Sequence, residues 1–140
     1  MSAISEEAGK LLERERVGVL ATTAPDGRPR QSLVYFVREG DRLLISTEPQ
    51  RLKARDAERT GWASLAVRTD AQPYPSATFS GPAQILRSGI GPATAAVMQR
   101  ITGASETPPE QSDEDLAAVN RVILAIDVER VTGSSYLDQL

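Results

Sequence analysis

Val17-Gly18-Val19-Leu20-Ala21-Thr22-Thr23-Ala24-Pro25-Asp26-Gly27-Arg28-Pro29 is the stretch that decides the fold. Apart from Leu20, its first seven residues are small or β-branched, the composition of a half-buried strand. Ala24-Pro25-Asp26-Gly27 then reads as a tight turn, because Pro25 presets φ at the second turn position and Gly27 takes the fourth. A strand reversed this sharply meets its successor antiparallel. That successor runs from Pro29 to Arg38, centred on Leu33-Val34-Tyr35-Phe36-Val37. Glu39-Gly40-Asp41 turns the chain again, and Arg42-Leu43-Leu44-Ile45-Ser46-Thr47 is expected to pair with the second strand as the third of one meander.

The flanks extend this pattern in both directions. Upstream, Ser5 followed by Glu6 and Glu7 reads as an N-cap with acids in the first turn, opening a helix that reaches about Arg16. Downstream, Glu48-Pro49-Gln50 opens a helix of about ten residues that Gly61 ends. Trp62 to Thr69 is a fourth strand, with Trp62 expected in the core. Asp70 to Pro75 is a rigid turn. Ser76 to Arg87 is a fifth strand in which Gly81-Pro82 suggests a bulge or an edge position. Pro92 to Ile101 reads as helix stopped by Gly103, residues Ala104 to Gln111 as an exposed loop, and Ser112 as the cap of a short acidic helix. Val122 to Val131 is expected to be a sixth strand. The order implies a mainly β (α+β) chain: a six-stranded antiparallel split β-barrel with short helices, forming a single domain over residues 1–140. Several strands look apolar on both faces, which in so short a chain leaves surface for a second copy, so a homodimer is expected.

Composition narrows the chemistry. The 140 residues include no Cys and no His. That removes disulfides, Cys- or His-ligated metal and haem, and Ser-His or Cys-His nucleophiles, so a metal site is not expected and an enzyme built on this chain would rely on a bound cofactor. The net charge of -3 argues against general nucleic-acid affinity. Charge is nonetheless uneven: residues 28–68 hold nine Arg/Lys against five Asp/Glu, and residues 105–140 hold two Arg against eight Asp/Glu. The first stretch is either an ordinary mixed surface or a patch for a small anion. The N-terminal residues lack a cationic start and an apolar core, and no apolar run approaches the roughly 20 residues that span a bilayer. A cytoplasmic protein with no membrane partner is expected.

Three places carry candidate ligand chemistry. In Ile45-Ser46-Thr47-Glu48-Pro49-Gln50-Arg51-Leu52-Lys53-Ala54-Arg55 a strand ends in two hydroxyls and a helix begins with three cations. Cations at a helix N-terminus oppose the macrodipole, and a bound phosphate reverses that cost. The same residues also suit a solvated helix with Asp56 and Glu58 as pairing partners. Arg30-Gln31-Ser32-Leu33-Val34-Tyr35 either faces the same ligand or is a half-exposed strand. Tyr74, between two prolines, either stacks on a planar ligand or simply packs.

In this order the segments resemble the pyridoxamine-phosphate-oxidase-like split-barrel superfamily. Residues Gly18 to Pro29 are similar to its opening hairpin, and Leu43-Leu44-Ile45-Ser46-Thr47 with Arg51-x-Lys53-x-Arg55 to its phosphate-binding corner. Trp62 to Val67, Gly81-Pro82-Ala83 and Ile126 to Gly133 match its later strands. Within the superfamily the chain is most similar to small actinobacterial-type reductases that use the deazaflavin coenzyme F420. The strand-two Lys of the true oxidases falls at Tyr35, and the ending Ser134-Ser135-Tyr136-Leu137-Asp138-Gln139-Leu140 lacks their substrate-phosphate segment, which points away from pyridoxal chemistry. The resemblance implies that Arg51 and Lys53 hold a cofactor phosphate, with Arg55 on it or on an anionic tail. Arg30, Ser32, Leu33, Ser46 and Thr47 would line the rest of the cofactor, and Tyr74 would reach the ring of a partner subunit's cofactor. It implies hydride transfer from F420 to a small unsaturated or quinone-like substrate, with an FMN-dependent oxidase or reductase, or a non-catalytic flavin- or deazaflavin-binding protein, as the alternatives. It singles out no catalytic side chain; solvent or Tyr35 would supply a proton.

Overall fold

The computed structural model describes residues 2–140. Its elements in chain order are α1 (Glu6–Arg14), β1 (Val17–Thr23), β2 (Pro29–Tyr35), β3 (Val37–Glu39), β4 (Arg42–Thr47), α2 (Leu52–Thr60), β5 (Trp62–Arg68), β6 (Ser76–Leu86), α3 (Gly91–Thr102), α4 (Asp113–Ala118), β7 (Val122–Asp127) and β8 (Arg130–Ser135). The local signals act as their chemistry requires. The Ser5 and Ser112 hydroxyls accept from the N–H of Ala8 and Asp115 and so cap α1 and α4. Gly27 N–H donates to the Ala24 carbonyl at 2.9 Å, closing the first hairpin. Gly61 and Gly103 end α2 and α3 at φ 68° and 71°, a conformation that only glycine adopts freely.

All strand pairs are antiparallel, in the order β2-β1-β5-β6-β7-β4-β3, with β8 beside β6. The two ends of this order, β2 and β3, are separated in the chain by Phe36 alone, which is fully buried. The sheet therefore rolls until its ends come together, which makes an antiparallel split barrel. The strand count differs from the expected six. The second expected strand breaks at Phe36 and the last breaks at Val128-Glu129, where the backbone N–H groups leave the ladder for Asp41 and Ser80 carbonyls. The three-strand meander is corrected with it: β2 pairs with β1, and only β3 pairs with β4. Gly81-Pro82 is neither edge nor bulge. It is the corner where β6 passes from β5 to β7, and a Cβ at Gly81 would overlap the Asp127 carbonyl.

Two apolar clusters result. The barrel interior holds Leu20, Leu65, Phe79, Leu43, Ile45, Leu124 and Ile126, plugged at one side by Leu11 and Leu12 of α1. A second cluster lies outside the barrel, where Ile90, Val97 and Leu116 of the α3–α4 region cover Leu44, Ile123 and Ala125. Trp62 belongs to neither. It begins β5 on the outward side and is 42% exposed, because alternation places Ala63 and Leu65 inward instead.

Candidate functional site

The free edge of β2 and the start of α2 enclose a groove of about 260 Å³. Arg30 and Ser32 reach it from the barrel side of β2, Thr22 from β1, and Arg51 and Lys53 from α2. Alternation along β2 sends Arg30, Ser32 and Val34 to this side and Leu33 and Tyr35 to the other, while Gln31, on the exposed edge, also lines the groove. Arg51 is the N-cap of α2, no side chain caps it, and no acid occupies the first turn. The amide donors of that turn thus lack the usual side-chain acceptor.

The groove is electropositive. Arg51 Nη2 lies 3.4 Å from Glu48, whose carboxyl is held below its ordinary range first by the Gln50 amide and then by Arg51. Lys53 has no hydrogen bond or ion pair among the described residues, and burial, then the charge of Arg51, lowers its pKa. A lysine so placed is destabilised as a cation until an anion arrives.

Arg30 is held differently. Asp56, on α2, is 1% exposed. Its Oδ2 accepts from Arg30 Nε at 2.8 Å and Thr22 Oγ1 at 3.0 Å, and its Oδ1 from Arg59 Nη1 at 3.1 Å and Arg30 Nη2 at 3.3 Å. Burial pushes the Asp56 carboxyl up, and the hydrogen bonds from Arg30, Arg59 and Thr22 outweigh it, so the net shift is downward. Asp56 fixes the plane of Arg30 while leaving Nη1 uncommitted. Sequence reading placed Asp56 on a solvated helix. The available signal was its position between Ala54 and Ala57, both buried.

The remaining expected site residues lie elsewhere in one protomer. Leu33 faces outward, 75% exposed, over a separate groove of about 400 Å³ shared with Val19, Ala66 and Arg68. Ser46 and Thr47 sit opposite Ile123 and Val122 on β7 and form no wall of the β2–α2 groove; Thr47 is buried. Arg55 is exposed and outside the groove. Tyr74 sits on the β5–β6 turn at φ 67°, with the Arg68 guanidinium 5.6 Å from its ring centre. The outer face of β2, β1 and β5 carries Leu33, Val19 and Ala66 in one register row, and Tyr35 and Val17 beside it. Of the residues that line its groove, only Arg14, the last of α1, belongs to a helix.

Comparison with known proteins agrees with this fold. Residues 4–135 match the family model described as pyridoxamine 5'-phosphate oxidase. Among solved structures, the chain is similar to one called an F420 reductase, at 25% identity and TM-score 0.70, covering 88% of this chain and 94% of that one. It is similar to a conserved hypothetical protein from Mycobacterium tuberculosis at 24% identity and TM-score 0.72, over 94% and 86% of the two chains. It is also similar to a FAD-binding protein from Mesorhizobium loti, at 24% identity and TM-score 0.69, over 94% and 92%. The latter two likenesses speak to fold alone. With the family model spanning nearly the whole chain and the rolled antiparallel sheet in place, the protein belongs to the pyridoxamine 5'-phosphate oxidase family.

Proposed function

We propose that the protein is a cytoplasmic, homodimeric F420-dependent oxidoreductase that reduces a small unsaturated or quinone-like substrate. The observation that carries this reading is the unpaired Lys53 beside Arg51 at the start of α2, opposite Arg30. Such a groove fits a phosphate-bearing cofactor: the unpaired Lys53, Arg51 with only an exposed contact to Glu48, an uncapped helix start and a second guanidinium, Arg30, already oriented by Asp56. F420 when bound supplies the hydride.

In this reading Lys53 and Arg51 hold the phosphate, Arg30 Nη1 and Ser32 orient the groups next to it, and Arg55 offers a further cation for an anionic tail. Leu33, on the outer face, joins the site through the dimer, as does Tyr74 from a second copy, and Ser46 and the buried Thr47 support it from β4. The apolar outer face of β1, β2 and β5 excludes water where the two copies meet. Among the described residues no helix is long and apolar enough to cross a membrane.

FMN suits the same phosphate groove, and the 25% identity to an F420 reductase is what favours F420. Titration of the purified chain with F420 and with FMN separates these readings, and hydride turnover with a panel of enones and quinones separates an enzyme from a cofactor-binding protein. Submicromolar F420 affinity with turnover is expected. Tight FMN binding without F420 binding overturns the choice of cofactor, and binding without turnover of any acceptor overturns the activity.

A further inference from the structure

A concavity of about 560 Å³ lies away from the β2–α2 groove and shares no residue with it. It is framed by Arg14 and Arg16 at the end of α1, Arg38 on β3 and Arg100 on α3. We propose that this cavity is a second anion site, taking a small ligand with two or more oxyanion groups.

Two of the four guanidiniums form a reciprocal clamp. Arg16 donates from Nε to the Arg100 carbonyl at 2.8 Å and from Nη2 to the Ile101 carbonyl at 3.1 Å, at the end of α3. Arg100 donates from Nη1 to the carbonyls of Glu13 and Glu15, at 3.1 and 3.0 Å, at the end of α1. Each helix C-terminus is thus capped by the other's arginine. Helix ends carry only about half a negative charge each, so a full cation on each overcompensates it.

The other two arginines add charge without cancellation. Arg14 makes no hydrogen bond or ion pair among the described residues. Arg38 donates from Nε to the Gly40 carbonyl, and its one nearby carboxylate, Asp41, is 4.0 Å away and partly exposed. Neither Glu13 nor Glu15 pairs with any of the four. Within 4 Å these four cations meet one carboxylate, and the two helix-end half-charges offset only part of the rest, so positive charge is in excess at the cavity. Guanidinium does not deprotonate, so the excess persists at any working pH.

A second observation concerns Gly9, in the middle of α1. A Cβ at Gly9 would fall 2.5 Å from Arg38 Nη1. Alanine is the better helix former at such a position. Glycine here leaves room for a guanidinium at the cavity wall. The forked donors that remain free, Nη1 of Arg16 among them, suit planar carboxylates and phosphates. The volume is in the usual range for small-ligand sites.

The test is calorimetric titration of the full chain with inorganic pyrophosphate and with citrate at low salt, run also on Lys53→Ala so that the β2–α2 groove does not contribute. One site per chain is expected, retained in Lys53→Ala. The Arg14→Ala/Arg38→Ala double variant should bind at least tenfold more weakly. Gly9→Ala should melt at or above the temperature of the unmodified chain yet bind several-fold more weakly, because its methyl displaces the Arg38 guanidinium. Tighter binding of pyrophosphate assigns the site to phosphoryl ligands, and tighter binding of citrate to carboxylates; both support it. Absence of binding by both probes, binding lost in Lys53→Ala, or full affinity in the double variant overturns the proposal.

Discussion

The two halves of the sheet look alike in composition and are finished in different ways. In β7 the run Val122-Ile123-Leu124-Ala125-Ile126 is buried throughout, with Leu124 and Ile126 inside the barrel and Ile123 and Ala125 under α3 and α4. In β1 the barrel-side residues are buried and in β2 only Val34 is, while Val17, Leu33 and Tyr35 remain exposed on the outward side. An apolar strand face needs a cover, and the chain supplies one for β4 and β7 from its own helices. For β1, β2 and β5 the proposed cover is a second copy. The edge strand β2 buries only Val34, and its polar end is tied down by the Asp56 clamp to Arg30 and Thr22. One half is held by apolar packing, the other by a buried carboxylate and, in the proposed dimer, by association.

The contrast is sharpest in stability. Ile123→Ala, in the doubly covered half, should destabilise the chain by roughly 2–5 kcal/mol, read from urea melts, since it leaves a cavity between sheet and helices. Asp56→Asn should cost roughly 1–3 kcal/mol and should loosen β2 first, visible as faster amide exchange at Arg30 to Val34 than in β7. Its pH dependence is a second check. The folded carboxyl titrates below its ordinary value of 3.8, so its stabilisation is complete above that value and fades as pH falls through the lower folded value. Asp56→Asn should therefore lose less stability than the unmodified chain on acidification below about pH 4.

Smaller effects probe the association half. Tyr74→Ala should weaken cofactor binding by about 1 kcal/mol through lost stacking, measured by titration calorimetry. Leu33→Ala should change monomer stability by less than about 0.5 kcal/mol, because the side chain is exposed within one copy. Leu33→Arg should convert the dimer to a folded monomer by light scattering. A Leu33→Arg dimer of unchanged affinity would break the contrast between the halves.

Much of this architecture was legible locally. The Ala24–Gly27 turn, the Ser5 and Ser112 caps and the Gly61 and Gly103 stops are each set by a few adjacent residues, and each forms as its chemistry requires. The strand breaks were not legible. Phe36 and Val128 are good strand residues, and they interrupt the ladder because closing the barrel demands corners there, which is a long-range requirement. Trp62 was misplaced for a related reason: its size argues for the interior, and the pleat of β5, fixed by Leu65, turns it outward. In the site, the cations of α2 were readable from their conflict with the helix dipole. Asp56 was legible only through its place among Ala54 and Ala57, since a charged residue on a polar helix does not itself show that a neighbouring strand will bury it.

The central claim is that the β2–α2 groove binds a cofactor phosphate through Lys53. Titration calorimetry of the unmodified chain and Lys53→Ala with F420, at two salt concentrations and with thermal melts of both free proteins, tests it most directly. A charge-assisted contact of about 1.5–3 kcal/mol predicts at least tenfold weaker binding by Lys53→Ala. Salt should weaken the unmodified protein more than the variant, and the free variant should melt at the same temperature or slightly higher, because an uncompensated cation has been removed. Equal affinities in the two proteins would contradict the account and leave Lys53 as a surface residue of a fold without this site.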